Sequence, residues 1–232
     1  MTFVIPPMPA VTIPVAGGNG QFPVRRIYCV GRNYAAHVRE MGMDPSREPP
    51  FFFCKPTDAI VVAPPGGGVR IAYPPATEQL HFEIELVAAI GRAGRNIPVE
   101  EANSYIWGYA VGIDMTRRDL QIAARDRGRP WELGKGFDQS APISPLHTAL
   151  EVGHPAAGEI WLQVNGQDRQ RSNLDKLIWS VPEIVANLSK FFELKPGDLV
   201  FTGTPEGVGA VHSGEVMRGG VSGIADIEVH VA

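Results

Sequence analysis

Residues 81–91, with the sequence HFEIELVAAIG, place two glutamates in an otherwise apolar run, and this combination restricts the fold more than any other segment does. The apolar residues that follow favour a strand buried on both faces. Because side chains alternate along a strand, Glu83 and Glu85 point to one face, while Ile84 and Leu86 pack on the other. Two buried like charges require a shared proton, cationic partners or a bound cation. The segment therefore predicts a buried strand with an ion site; the alternative is an exposed strand whose glutamates face water.

A second strand is predicted over residues 106–114, IWGYAVGID, where bulky residues alternate with glycine or alanine. One face of this strand is bulky and the other nearly bare, and a bare face leaves room for a bound group. The strand ends at Asp114, which we take as the third ligand beside the two glutamates. Ligands that offer only oxygen suit Mg²⁺, Mn²⁺ or Ca²⁺.

A candidate acid–base pair lies on a short helix predicted over residues 34–41, with Asn33 as its N-cap and Gly42 as its stop. His37 and Glu40 are three residues apart, so they share a face of that helix. This spacing suits a general base whose imidazole is held by a carboxylate. The alternative is an ordinary solvated helix face.

Another helix is predicted over residues 117–127, where Thr116 and the residue three positions later resemble a capping box. Arg118, Gln121 and Arg125 share one face of this helix. The helix begins just after Asp114, so its N-terminus lies near the predicted ion site, where it favours anions.

Two lysines are candidate substrate-facing cations: Lys55 at the end of an apolar strand, and Lys135 between two glycines. The alternative is that both are surface lysines. The loop GTPEGVG lacks the lysine of a phosphate-binding loop, so we interpret it as a turn whose N–H groups face an oxyanion.

Composition limits the organisation and the partners of the chain. Its 232 residues, 44% of them hydrophobic, predict one catalytic domain over residues 25–232 after an extended segment over 1–24. The net charge of -4 predicts neither a nucleic-acid partner nor a membrane anchor. Cys29 and Cys54 lie in apolar runs, which favours a reduced, buried pair in a cytoplasmic protein.

Strands dominate the remaining pattern, and they do not alternate regularly with helices. Asn165 and Gly166 predict a hairpin turn, while Ser180 and Glu183 predict the capped start of a helix. The fold class that follows is α+β, mainly β.

The motifs together resemble one known family. The segments YCVGRNYAAHVREMG, FFFCKPTDAIV, HFEIEL, GYAVGIDMTRRDLQ, GRPWELGKGFDQSAPISP, LQVNGQDRQ and VFTGTPEGVG occur in the order and spacing of the fumarylacetoacetate hydrolase family. The chain looks most like the short acylpyruvate and fumarylpyruvate hydrolases of that family. The resemblance implies a β-roll of mixed sheets, a homodimer, and Mg²⁺ or Mn²⁺ held by Glu83, Glu85 and Asp114.

The resemblance also implies a lid that carries His37 and Glu40, and it matches Lys135 to the family's site lysine. The positions that usually line the substrate pocket of the family correspond here to Arg32, Lys55, Arg118, Gln121 and Thr204.

One departure from the family lies before the first ligand, where many relatives have two histidines and this chain has His81 and Phe82. We expect Phe82 to face away from Glu83, and we therefore expect metal ligation to be intact.

The implied reaction is hydrolysis of a carbon–carbon bond in a 2,4-dioxo acid, with fumarylpyruvate giving fumarate and pyruvate in gentisate degradation. The alternatives are an acylpyruvase or oxaloacetate decarboxylase, an isomerase or decarboxylase of dienedioic acids, and a metal–carboxylate-binding protein without turnover. Fumarylpyruvate has a distal carboxylate, and the sequence leaves open whether Arg32, Arg125 or Arg129 contacts it.

Overall fold

The computed structural model describes residues 3–42, 44–45 and 48–232, which form an α+β structure that is mainly β. The strands are β1 (Thr12–Pro14), β2 (Gln21–Pro23), β3 (Arg26–Gly31), β4 (Phe51–Lys55), β5 (Ile60–Val62), β6 (Gly68–Ile71), β7 (Leu80–Phe82), β8 (Ile84–Ile90), β9 (Ile106–Ile113), β10 (Thr116–Arg117), β11 (Ala141–Ile143), β12 (His147–Thr148), β13 (Glu159–Val164), β14 (Gln167–Asn173), β15 (Asp198–Phe201), β16 (Gly209–Ala210), β17 (Val216–Val221) and β18 (Ala225–Val231). The α-helices are α1 (Ala35–Glu40), α2 (Arg118–Arg125), α3 (Glu132–Lys135), α4 (Ala149–Val152) and α5 (Val181–Phe191). Short 3-10 helices cover Thr57–Ala59, Val99–Tyr105 and Leu174–Lys176.

The largest sheet is mixed and has the order β4-β3-β15-β8-β9-β11-β5, with β12 also paired to β9. Its centre is the antiparallel pair β8 and β9, in which Glu85 lies opposite Gly112. A second mixed sheet has the order β14-β13-β17-β18-β6, and a small one the order β10-β7-β16. The predicted α+β, mainly β class is confirmed.

The main hydrophobic core lies between the two large sheets. Ile84 and Leu86 of β8 are fully buried there, as the alternation predicted, together with Leu162 of β13, Val229 of β18 and Ile184 of α5. This face of β8 therefore packs in the core, and Glu83 and Glu85 do not lie on it.

A second core covers the opposite face of the largest sheet, and it fills the bare face of β9. A methyl group on Gly112 would lie 2.5 Å from the ring of Phe201, and one on Gly108 would lie 2.2 Å from the carbonyl oxygen of His147. The expectation that this face leaves room for a bound group is therefore wrong at both glycines, because neighbouring protein groups occupy the space.

The N-terminal segment is more ordered than the expected extended chain. β1 and β2 form an antiparallel hairpin, and Ile13 and Phe22 are buried in the second core. This hairpin closes the face of the sheet on which that core lies.

Local signals were confirmed in two places. Asn165 and Gly166 have φ of 50° and 79°, as a two-residue hairpin turn between β13 and β14 requires. At the start of α5, the N–H and hydroxyl of Ser180 both donate to Glu183 Oε2, at 2.9 Å and 2.8 Å.

Three local expectations were wrong. Asn33 does not cap α1, whose N-cap is Tyr34, and Thr116 does not cap α2, whose N-cap is Arg117. Both polar side chains have stronger long-range partners, described below. Cys29 is buried, but Cys54 is exposed on β4; both thiols are free. In the part of the chain that the structure describes, no helix has the length and apolar character needed to cross a membrane.

Candidate active site

The candidate site begins where the strand predicted over residues 81–91 breaks. The break falls at Glu83: β7 before it pairs with β10 and β16, whereas β8 after it enters the largest sheet. The N–H of Asp114 donates to the carbonyl oxygen of Glu83 at 2.8 Å, which joins the end of β9 to this break. As a result, single carboxylate oxygens of Glu83, Glu85 and Asp114 lie within 4.8 Å of one another, and all three residues are buried.

Three cations surround this carboxylate cluster. Lys135 Nζ donates to Glu83 Oε2 at 2.8 Å, to Asp114 Oδ2 at 2.7 Å and to Thr116 Oγ1 at 2.7 Å. The guanidinium of Arg118 donates to Glu83 Oε1, and Lys55 Nζ lies 2.8 Å from Asp114 Oδ1. When all three carboxylates are ionised, these three buried positive charges balance them, as burial demands.

Burial and the neighbouring charges shift the pKa values of the two glutamates in opposite directions. Burial, followed by the charges of Asp114 and Glu83, raises the pKa of Glu85 well above its usual value. Burial acts in the same direction on Glu83, but the charges of Lys135 and Arg118 outweigh it, so the pKa of Glu83 is lowered. Without a metal, Glu85 therefore keeps its proton to a higher pH than Glu83 does.

The cluster fits a hard divalent cation. Its donors are all oxygen, and they are close enough to share one ion. Asp114 Oδ1 is buried and accepts no hydrogen bond from the described residues, although the Lys55 ammonium is near it. Glu85 keeps one oxygen on the N–H of Gly203, at 2.7 Å, and this bond fixes its orientation. A cation would satisfy the unpaired oxygen of Asp114 and favour the ionised form of Glu85.

The cluster opens into a pocket whose empty volume, open solvent included, is about 530 Å³. One wall is aromatic: the rings of Phe51 and Trp131 meet edge to face at 5.3 Å, and Phe53 lies 5.8 Å from Trp131. The other residues that line it are Val30, Gly31, Arg32, His37, Met41, Glu83, Glu85, Arg118, Gln121, Ile122, Arg125, Lys135 and Thr204.

Helix α2 supplies another part of the pocket lining. Gly134 of α3 permits this arrangement, because a methyl group there would lie 2.9 Å from the backbone nitrogen and Cβ of Gln121. The close approach of the two helices brings Lys135 and Arg118 to the same carboxylates. Gln121 in turn accepts a hydrogen bond from Arg118 through Oε1.

The predicted His–Glu pair lies on α1, beside the pocket. His37 is 7% exposed, and its Nδ1 lies 3.2 Å from Glu40 Oε2. The N–H of Gly207 donates to both oxygens of Glu40, at 3.1 Å and 3.2 Å. The loop GTPEGVG thus offers N–H groups to oxyanions as predicted, but in this structure the oxyanions are the carboxylates of Glu85 and Glu40.

Asn33 fixes the start of the segment that carries His37. Its Nδ2 donates to the carbonyl oxygens of Trp179 and Thr202 at 2.9 Å and 2.8 Å, and its Oδ1 accepts from the N–H of Trp179 at 2.8 Å. This is why Asn33 does not serve as the helix cap.

Four of the five predicted substrate-binding residues line the pocket, and Lys55 is the exception. Arg32, Arg118, Gln121 and Thr204 line the pocket. Lys55 is not among the described residues that line it. Its side chain is fully buried behind Asp114, and it donates to the carbonyl oxygens of Met115, at 3.1 Å, and of Lys135. This position suits neutralisation of Asp114 rather than contact with a substrate.

Several residues that support the site were not identified from the sequence. Thr116 accepts from Lys135, and Gln170 links the N–H of Ile84, at 3.0 Å, to Thr204 Oγ1, at 2.8 Å. His81 Nδ1 accepts from Arg118; burial, followed by the Arg118 charge, lowers the pKa of His81 to about 4. His81 is therefore neutral at pH 7. Phe82 is fully buried in the main core, away from the carboxylates, as expected.

Comparison with known proteins agrees with this geometry. Residues 26–232 match the model of the fumarylacetoacetate (FAA) hydrolase C-terminal family. The chain belongs to this family. Its predicted β-roll fold is accordingly confirmed.

Three relatives show how close the similarity is. The chain is 48% identical over 189 residues to fumarylpyruvate hydrolase of Ralstonia sp., covering 82% of this chain and 96% of the relative. It is 40% identical over 206 residues to a mitochondrial oxaloacetate tautomerase of Arabidopsis thaliana, covering 89% of this chain and 90% of that relative. The crystal structure of fumarylpyruvate hydrolase from Pseudomonas aeruginosa, in complex with Mn²⁺ and pyruvate, superposes with a TM-score of 0.98 at 60% identity, covering 100% of this chain and 99% of that one.

Proposed function

We propose that this protein is a metal-dependent hydrolase that cleaves fumarylpyruvate, with water, into fumarate and pyruvate. The observation that carries the proposal is the buried carboxylate cluster in the same pocket as the His37–Glu40 pair. Relatives at 48% and 60% identity that are named for this reaction support it, and one of them binds Mn²⁺ and pyruvate.

Glu83, Glu85 and Asp114 would hold the metal, which is Mg²⁺ or Mn²⁺ given their oxygen ligands. When bound there, the cation supplies Lewis acidity that stabilises negative charge on the oxygens of the pyruvoyl end of the substrate. Arg118 and Lys135 lie at the same end of the pocket and bring positive charge to those oxygens.

His37 is the proposed general base. Glu40 holds Nδ1, which leaves Nε2 as the nitrogen that accepts a proton from water. The water oxygen bonds to C4 of the substrate, and the bond between C3 and C4 breaks. The electron pair of that bond remains on C3, and protonation there gives pyruvate, while C4 becomes a carboxyl carbon of fumarate.

The charges of the site favour an anionic substrate. The three ionised carboxylates and the three cations that surround them sum to zero, so a divalent ion would leave two uncompensated positive charges. A buried excess of this size is costly unless an anion joins it. The pyruvoyl carboxylate of fumarylpyruvate is such an anion.

Reaction of oxaloacetate is the second candidate, because relatives named oxaloacetate tautomerase and oxaloacetate decarboxylase are 40% and 38% identical to this chain. The metal end would serve either reaction. The His37–Glu40 pair favours hydrolysis, since decarboxylation requires no base to activate water.

The test is metal-dependent pyruvate release from fumarylpyruvate, acetylpyruvate and oxaloacetate, compared at equal concentrations. We expect fumarylpyruvate to have the highest kcat/KM, and we expect His37→Ala to lower its hydrolysis by about 10²- to 10⁴-fold while Mn²⁺ still binds. Faster turnover of oxaloacetate, or hydrolysis that survives in His37→Ala, would contradict the assignment.

The same proposal includes a homodimer, a single catalytic domain over residues 25–232, and a cytoplasmic location. It also includes a small-molecule dioxo acid as the partner of the site. Light scattering of the purified protein measures the first of these directly.

A further inference from the structure

Building on the proposed function, we infer that Arg125 binds the distal carboxylate of the substrate and thereby selects seven-carbon dioxo diacids over shorter acids and over acids without a charge at that end. Arg125 lines the same pocket as the carboxylate cluster, and it lies at the opposite end of α2 from Arg118. The inference depends on the direction of this helix, the length of the substrate and the state of the Arg125 side chain.

Helix α2 runs from the metal end of the pocket to its mouth. Its first residue, Arg118, contacts Glu83. Gln121, Ile122 and Arg125 follow on the same side of the helix, and all of them line the pocket. Arg118 is 4% exposed as a residue, whereas the side chain of Arg125 is 36% exposed, so the helix leads from a buried end to an open one.

The length of this helix matches the length of the substrate. Arg118 and Arg125 are seven residues apart, which places their backbones roughly 10 Å apart along the axis. The two carboxylate carbons of extended fumarylpyruvate are separated by six bonds, or roughly 7 Å at the spacing of an extended chain. Oxaloacetate spans roughly 4 Å by the same measure, so it cannot reach both arginines.

The middle of the pocket suits the flat hydrocarbon part of the substrate. Ile122 lies between the two arginines on α2, and the rings of Phe51, Phe53 and Trp131 also line the pocket. Apolar surface in the middle of the pocket stabilises the double bond of a fumaryl group but does not stabilise a charge. A carboxylate beyond it therefore needs a cation at the mouth.

Arg125 is the arginine best able to supply that cation. Among the described residues its ion-pair partner is Asp126, its exposed neighbour in sequence, at 2.9 Å. Such an exposed pair is weak and easily exchanged for a ligand. Arg32 also lines the pocket, but its guanidinium lies over the ring of Phe51 at 5.3 Å. Arg129 is exposed and is not among the described residues that line the pocket.

The test uses two substrates that differ only at the far end: fumarylpyruvate, and crotonylpyruvate, in which a methyl group replaces the distal carboxylate. Arg125→Gln should raise KM for fumarylpyruvate about tenfold, the effect of losing one partly exposed charge-assisted hydrogen bond, and leave crotonylpyruvate unchanged. Arg129→Gln, which removes the same charge four residues further along, should change neither substrate.

Binding is measured separately by calorimetry of both compounds with Mn²⁺-loaded His37→Ala protein, with and without Arg125→Gln. This binding measurement still tests Arg125 if the wild-type protein fails to hydrolyse fumarylpyruvate. That failure would contradict the proposed function but not the role of Arg125 in binding. Equal loss for both compounds would show that Arg125 is structural. A selective loss in Arg32→Gln instead, or no selective loss in Arg125→Gln, would also overturn the inference.

Discussion

Replacing Lys135 by methionine should destabilise the metal-free protein and at the same time increase the stabilisation that a metal provides. Lys135 Nζ donates to Glu83, Asp114 and Thr116 within 2.8 Å, and its side chain is 2% exposed. Methionine keeps most of the volume and removes the charge. With all three carboxylates ionised, the cluster then has three negative charges against the two positive charges of Lys55 and Arg118.

The magnitude follows from the burial of the ion pairs. Removing one partner of a buried pair costs about 3 to 5 kcal/mol, and we expect the lower end because two cations remain. For a chain of 232 residues, a loss of about 3 kcal/mol lowers Tm by about 6 to 12 °C. A divalent cation compensates the same uncovered charge, so it should recover most of this loss.

The assay is differential scanning calorimetry of wild type and Lys135→Met in EDTA and in saturating MnCl₂. Lys190→Met, at an exposed lysine of α5, is the control and should behave like wild type in both conditions. An unchanged Tm for Lys135→Met in EDTA would refute the reasoning. So would a rise in Tm on adding Mn²⁺ that is no larger than that of the wild type.

Two further predictions concern the groups around the cluster. Gly203→Ala should cost about 3 kcal/mol in urea unfolding, because φ is +100° there and the new methyl group would lie 2.7 Å from Cβ of Asn33. Gly223→Ala, at φ +78° with open space around it, should cost only about 1 kcal/mol, and equal losses would disprove the role of the contact. Since the pKa of Glu85 is raised, this carboxyl still carries a proton at pH values where an ordinary glutamate has lost it. Mn²⁺ binding should therefore release up to about one proton below that pKa and tighten as the pH rises through it, as calorimetry in buffers of different ionisation enthalpy measures; an affinity independent of pH would rule this out.

The sequence was sufficient where a signal is local. The spacing of His37 and Glu40 is enough to place them on one helix face, and the alternation in β8 is enough to bury Ile84. The Asn165-Gly166 turn needs only two residues with positive φ. In each case the controlling contacts lie within a few residues of one another, so the local pattern determines the outcome.

The sequence was insufficient to predict structure where the conformation of a residue depends on a partner far away in the chain. The strand over residues 81–91 breaks at Glu83 because β7 is paired with β10 and β16, and no local residue signals that pairing. Thr116 looked like a helix cap, but its hydroxyl oxygen accepts a hydrogen bond from Lys135 of α3 instead. Lys55 ends an apolar strand as a substrate-facing lysine would, and only the fold shows that its amine lies behind Asp114. Side chains with several possible partners are therefore assigned correctly only once the topology is known.

The two ends of the pocket differ in how freely they can change. At the metal end, Glu83 and Asp114 are each paired with buried cations, so a substitution there leaves an unpaired charge and costs several kcal/mol. At the mouth, Arg125 is partly exposed and paired only weakly, so a substitution there costs little stability. A fold of this kind can keep one metal end while the recognised acyl group varies, because stability constrains only the first of the two. Relatives named for fumarylpyruvate and for oxaloacetate are 48% and 40% identical to this chain. If Arg125 binds the distal carboxylate, the substrate preference of this chain should change with substitutions along α2 and at the mouth, and not with substitutions elsewhere that leave the carboxylate cluster intact.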